Sequence, residues 1–144
     1  MSNFLAPFAA AILALASILP AQGWSVTPYG PSCGPVASGT VTPQGNTHRF
    51  AFTVTNAAPS TPVLLIVGVS ETNVPINFGH SCTLLTELYF TQAHRTDMSG
   101  SYTWSHALAS TFRGTGRVQF AEVTFGPLGE LIVRTSNGVF MQWI

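Results

Sequence analysis

Apolar and polar residues alternate in short stretches along residues 24–144, and glycine, proline and asparagine separate the stretches. The clearest stretch is 48–55, in which every second residue is apolar: Phe50, Phe52 and Val54. A period of two residues is that of a β-strand with one buried face. No apolar stripe at helical spacing extends over three turns in this part of the chain. The pattern therefore predicts an all-β domain.

Nine stretches in all are typical of short strands. Residues 63–69 are apolar on both faces, which favours a central strand, and Gly68 predicts a bulge or a close backbone contact within it. The other predicted strands are 26–29, 39–42, 83–90, 102–108, 117–125, 131–134 and 139–143. Residues 71–81 are predicted to form a loop, and Asn137-Gly138 a hairpin turn. Strands spaced by about ten residues favour a single antiparallel β-sandwich of seven to nine short strands, Ig-like or jelly-roll-like.

The N-terminal segment differs from the rest of the chain. Residues 4–19 form an uncharged apolar run of 16 residues, and a helix of that length spans about 24 Å, less than the ~30 Å hydrocarbon core of a bilayer. The small residues of Ala21-Gln22-Gly23 follow it, as at a signal peptidase site. This predicts a signal peptide over 1–23 and a β-sandwich domain over 24–144. Residues 1–3 contain no lysine or arginine, which leaves a retained membrane or filament-core helix as the alternative.

The two cysteines agree with export. Cys33 and Cys82 both lie in the predicted domain, and an even number in an exported chain favours a disulfide. Neither belongs to a C-x-x-C pair, so a zinc site is disfavoured, and two unpaired thiols are the remaining alternative. We therefore expect a secreted or cell-surface protein.

Charge is scarce in this chain. Five arginines balance five acidic residues, lysine is absent, and charged residues make up 7% of the sequence, against about 25% in an average domain. Such a chain lacks the basic surface that nucleic acid requires, and its 46% hydrophobic content excludes disorder. Serine and threonine must then occupy most solvent-facing strand positions. A net charge of zero also offers little repulsion against association.

A series of short motifs follows a defined order along nearly all of residues 24–144. They are Tyr29-Gly30, Cys33-Gly34, Gly45-Asn46, Asn56-Ala57-Ala58-Pro59 with Pro62, Gly68-Val69-Ser70, Pro75, Phe78-Gly79, Ser81-Cys82, Leu84-Leu85, Gly100, Trp104, Gln119 and Ser136-Asn137-Gly138. In order and spacing they resemble a small secreted β-rich module of planctomycete-type bacteria, often found at the C-terminal end of large extracellular proteins. The resemblance implies a β-sandwich with one disulfide, between Cys33 and Cys82, and brings no catalytic residues with it. The chain departs from the module at Gln119-Phe120, where a Gln-Trp pair is expected.

The titratable residues form no recognisable catalytic or metal-binding motif. The histidines, which lack H-x-H or H-x-x-x-H spacing, are His48, His80, His94 and His106. The acidic residues, none of which forms an evident catalytic pair, are Glu71, Glu87, Asp97, Glu122 and Glu130. We expect no enzyme, no metal and no cofactor, although a site assembled from distant loops stays open. Glu122 is expected to pair with Arg117 or Arg134.

Tyr102 and Trp104 are the predicted ligand-binding residues. They lie two apart on one predicted strand and form a flat sugar-stacking platform if that face is exposed. The same alternation is also what a sandwich core requires, so both interpretations stand. We expect a non-catalytic structural or interaction protein of the cell surface or extracellular matrix, with a carbohydrate-binding module as the alternative. The expected partner is a second copy, through an uncharged edge strand such as 139–143, or a neutral glycan, with no nucleic acid and no membrane contact after signal cleavage.

Overall fold

The computed structural model describes residues 22–144, so the predicted signal helix over 4–19 lies outside the described residues. Every regular element in the described part is a β-strand, and none of it is a helix long and apolar enough to cross a membrane. The strands are β1 (Trp24–Tyr29), β2 (Val36–Gln44), β3 (Thr47–Thr55), β4 (Pro62–Gly68), β5 (Glu71–Asn77), β6 (Ser81–Thr86), β7 (Phe90–Arg95), β8 (Tyr102–Ala109), β9 (Thr115–Phe125), β10 (Leu131–Thr135) and β11 (Gly138–Trp143). Their pairings are all antiparallel.

Two sheets enclose the core. Sheet A has the strand order β1-β11-β9-β4-β7, with β10 also beside β9, and sheet B has the order β2-β3-β8. The buried residues of the core come from both sheets: Ala37, Phe50, Phe52 and Val54 from sheet B, and Val63, Leu65, Val118, Phe120 and Val139 from sheet A. The predicted antiparallel β-sandwich is therefore confirmed, with more strands than the seven to nine expected.

The hairpin β5–β6 accounts for part of the difference. Residues 71–81 were predicted to be a loop, and that prediction is wrong, because β5 occupies Glu71–Asn77. This strand is mostly exposed, its apolar alternation is limited to Val74 and Ile76, and Pro75 between them disfavours a strand. The predicted strand 83–90 is likewise two strands, since β6 ends at Thr86 and β7 starts at Phe90.

A buried amide and a disulfide attach this hairpin to the sandwich. Gln119 of β9 is fully buried, and its Oε1 accepts a hydrogen bond from the Leu85 amide at 2.9 Å. Its Nε2 donates to the carbonyls of Thr83 and Ser136 at 2.9 and 2.8 Å. The predicted disulfide between Cys33 and Cys82 is confirmed, and it joins the β1–β2 loop to β6. The hairpin is thus a third layer on sheet A.

Asn137-Gly138 is a bulge, and the hairpin turn predicted there is wrong. Thr135 pairs with Ala121 and Val139 pairs with Val118, so β10 and β11 follow one another along the same side of β9 with one extra residue between them. The strand 139–143 was also expected to be an edge, but β11 lies between β1 and β9. The bulge brings the backbone close to Tyr29, because a Cβ at Gly138 would overlap the Tyr29 ring.

Candidate functional site

Each of the two sheets ends in two strands that have a neighbour on one side only. In sheet A these edge strands are β1 and β7, and in sheet B they are β2 and β8. β10 also pairs with β9 alone, but its other side is hydrogen-bonded to Phe78 and Cys33 and is not open. An edge strand presents unpaired backbone N–H and C=O groups, to which another chain can add a strand. Proteins oppose such pairing with proline, charge, short strands or a covering group. The four edges of this chain differ sharply in these respects.

Three of these edge strands carry a proline, a charged residue or a covering side chain. Pro28 lies in β1, and Pro43 lies in β2. The side chain of Asn137 covers part of the β2 edge as well, because its Oδ1 accepts from the Ala37 amide at 2.8 Å and its Nδ2 donates to the Ala37 carbonyl at 3.0 Å. β7 is six residues long and ends in Arg95. β8 has eight residues, no proline and no charge, and within residues 22–144 no strand pairs with its outer side.

A tight turn and continuous pairing fix β8 in place. The Asp97 carboxylate accepts hydrogen bonds from the Ser99 hydroxyl at 2.7 Å and from the amides of Ser99 and Ser101 at 2.9 Å. These bonds hold the pKa of Asp97 below its usual value, and the bond from the Ser99 hydroxyl has the largest effect. Gly100 follows with a φ of 76°, and a Cβ there would overlap the Ala57 carbonyl oxygen. From Tyr102 to Ala109 the strand then pairs with β3 without a register shift.

Tyr102 and Trp104 point towards the space between the sheets. The Tyr102 ring stacks on His94 of β7 with centroids 4.3 Å apart, and its burial raises the pKa of the Tyr102 hydroxyl. The Trp104 ring stacks against Phe52 of the core at 6.0 Å and against His106 at 5.6 Å. Both residues are half-buried, whereas His106 is exposed. The aromatic contacts extend from the core to the edge, and a sugar-stacking role for the pair stays a prediction.

The opposite face of sheet B is rich in threonine and serine and almost uncharged. Exposed positions of β8 on this face are Thr103, Ser105, Ala107 and Ala109. The hydroxyls of Thr53 and Thr103 lie 2.8 Å apart across β3 and β8. Arg49 is the one charged residue on this face of the three strands. Beside it lies a shallow depression of about 230 Å³, lined by Gln44, Arg49, Ser105, His106 and Ala107. The expectation that serine and threonine replace charge at solvent-facing positions is confirmed here.

The buried acidic residue has a structural partner. Glu122 is 1% exposed, and its Oε1 accepts from Nε and Nη2 of Arg134 at 2.9 and 2.6 Å. Its Oε2 accepts from the Ala58 amide at 2.6 Å, which ties the β3–β4 loop to β9. The predicted pairing of Glu122 with an arginine is confirmed for Arg134, whereas Arg117 lies 3.7 Å from Glu71.

The other titratable groups are dispersed or engaged by the backbone. Glu87 accepts hydrogen bonds from the amides of Ser70 and Val69, both at 3.0 Å, and these bonds lower its pKa. Within residues 22–144 no three His, Cys, Asp or Glu side chains lie close enough to hold a metal ion together.

Sequence reasoning did not identify the edge that stands out in the structure. Its composition was visible as an uncharged stretch over 102–108, but its place at the side of sheet B depends on which strands pair. What this arrangement offers chemically is a row of backbone donors and acceptors flanked by aromatic rings on one face and small hydroxyl groups on the other. In comparisons with known proteins, no family model, curated protein or solved structure matches the chain.

Proposed function

We propose that this chain is a secreted, non-catalytic interaction protein of the cell surface or extracellular matrix that associates through the free edge of β8. The observation that carries the proposal is the contrast between edges. β1, β2 and β7 each carry a proline, a charge or a covering side chain, and β8 carries none of them. Strand addition to such an edge gains backbone hydrogen bonds along its whole length.

The electrostatics of the chain support association. Its net charge is zero, and β8 contains no charged residue, so no charge has to be desolvated when another strand covers it. The disulfide between Cys33 and Cys82 suits an oxidising compartment outside the cell. The structural partners of Glu122 and Glu87 favour a non-catalytic role for both carboxylates.

Sedimentation velocity on the full chain, secreted by a host and purified from its medium, tests the proposal. Wild-type protein is expected to associate as its concentration rises through the micromolar range. Ser105→Lys with Ala107→Lys places two like charges on β8 and is expected to leave a monomer. Thr40→Lys with Thr42→Lys adds the same charge to the same face at β2 and is the matched control, expected to associate like wild type. A wild-type monomer at every concentration would contradict the proposal.

A carbohydrate-binding module is the second candidate. The depression beside β8 favours it, because Gln44, Arg49 and His106 offer hydrogen-bonding groups around about 230 Å³ of open space. A glycan array probed with wild type and with Arg49→Ala is the direct test. Glycan binding that Arg49→Ala abolishes would support this function, and equal binding of the two proteins would exclude the depression as its site. Loss of binding in Tyr102→Ala or Trp104→Ala would instead place the site on the aromatic residues.

A further inference from the structure

The free edge of β8 has the properties of a strand that pairs with itself. We infer, resting on the function proposed above, that the partner of β8 is β8 of a second copy, antiparallel and related by a twofold axis at Ser105. The result is one continuous sheet of six strands, in the order β2-β3-β8 from one copy followed by β8-β3-β2 from the other. The inference names the partner and the register of the same edge.

The two faces of β8 restrict the register. Tyr102, Trp104, His106 and Leu108 alternate with Thr103, Ser105, Ala107 and Ala109, and the first set faces sheet A. Residues directly opposite in an antiparallel pair have side chains on the same face. A joined sheet that keeps both cores on one side must therefore place the first set opposite itself. Only registers in which the two paired residue numbers have an even sum satisfy this condition.

Two such registers leave the greatest overlap, one centred on Ser105 and one on His106. The first places Trp104 opposite the second copy's His106, and Tyr102 opposite its Leu108. The second places His106 opposite its own copy and Trp104 opposite the second copy's Leu108, so it lacks the contact between Trp104 and His106. Within one chain the Trp104 and His106 rings already stack with planes 3° apart, so the two rings pack well together. This aromatic pairing favours the axis at Ser105.

No like charges meet in this arrangement. Arg49 is the one charged residue on the outer face of sheet B. It lies on β3 opposite Ala107 of β8, two residues along from the axis at Ser105. With strands about 4.8 Å apart and residues rising about 3.4 Å, the two copies of Arg49 are about 20 Å apart. That distance exceeds the Debye length of about 8 Å at physiological ionic strength, so their repulsion is screened. The contact is therefore uncharged over its whole length.

Single cysteines on the exposed face of β8 test the register in the full, disulfide-bonded chain. At the axis, Ser105→Cys faces its own copy at a separation that a disulfide spans, and oxidation is expected to give a covalent dimer. Thr103→Cys faces Ala107 of the second copy. Position 103 of the second copy lies four residues, about 14 Å, further along that strand, so this variant alone is expected to form no crosslink. A mixture of Thr103→Cys and Ala107→Cys chains is expected to crosslink between the two variants.

The outcomes separate this inference from the function on which it rests. If wild type associates but Ser105→Cys gives no covalent dimer, or if mixed Ser105→Cys and Ala107→Cys chains crosslink in its place, the register is refuted and edge association stands. If wild type and every variant remain monomeric and uncrosslinked, both are refuted. Crosslinking of Ser105→Cys alone and of the Thr103→Cys and Ala107→Cys mixture supports the twofold pairing.

Discussion

Replacing Arg134 by methionine tests how strongly the buried carboxylate of Glu122 depends on its partner. The substitution removes two of the three hydrogen bonds that Glu122 accepts and leaves only the one from the Ala58 amide. Breaking a buried ion pair by removing one partner costs about 3 to 5 kcal/mol. The Arg134 side chain is 29% exposed, so water can reach the site. We therefore expect a loss of unfolding free energy near the lower bound, about 3 kcal/mol.

Equilibrium unfolding in urea measures this loss. With an m-value of about 2 kcal/mol/M, the midpoint is expected to fall by about 1.5 M while m is unchanged. Glu122→Met with Arg134→Met removes the buried charge together with its partner and is expected to be more stable than Arg134→Met alone. Arg49→Met, at an exposed position of β3, is the control and is expected to leave the midpoint in place.

Two results would refute this reasoning. A loss below about 1 kcal/mol in Arg134→Met would place the pair among ordinary surface ion pairs. A double variant whose loss equals the sum of the two single losses would show that Glu122 and Arg134 are not coupled.

Three further predictions concern the disulfide, the bulge and the turn before β8. Cys33→Ala with Cys82→Ala opens a loop of 49 residues and is expected to lower the free energy of unfolding by about 4 kcal/mol, measured in denaturant. Wild-type protein treated with a reductant is the comparison and is expected to lose a similar amount. Gly138→Ala forces the Tyr29 ring to move, and calorimetry is expected to show a lower Tm than for Gly45→Ala, where no atom meets the added Cβ and the cost comes only from a φ of 57°. The pKa of Asp97 is lowered by folding, so the stability it contributes is present at neutral pH and is lost as the pH falls below about 4. In Asp97→Asn the urea midpoint is expected to depend less on pH over that acidic range. A pH dependence equal to that of wild type would contradict this.

Local patterns in the sequence were sufficient for the class of fold. Phe50, Phe52 and Val54 alternate because sheet B has one face against the core, and all three are buried as predicted. The disulfide also followed from the count of cysteines. β5 escaped prediction because it lies on the outside of sheet A, where most of its residues remain in solvent. Its apolar period is short, Val74 and Ile76 alone, and Pro75 between them argues against a strand.

The errors at the C-terminal end have a different cause, the pairing of distant strands. Asn-Gly suits a hairpin turn locally, but the hydrogen bonds of Asn137 to Ala37 and the pairing of β10 and β11 with β9 make it a bulge. In the same way, the last strand of the chain is central in sheet A. Which strand is an edge is a property of the whole sheet, and so the free side of β8 is visible only in the folded protein.

The side chain of Asn137 also sets a limit on growth. By binding both backbone groups of Ala37, it occupies part of the β2 edge at the far side of sheet B from β8. In the proposed assembly, β2 becomes the outer strand of the joined sheet, where Asn137 and Pro43 hinder the addition of a further copy. An amide group 100 residues away in sequence from the strand it covers thus opposes further growth of the proposed six-stranded sheet.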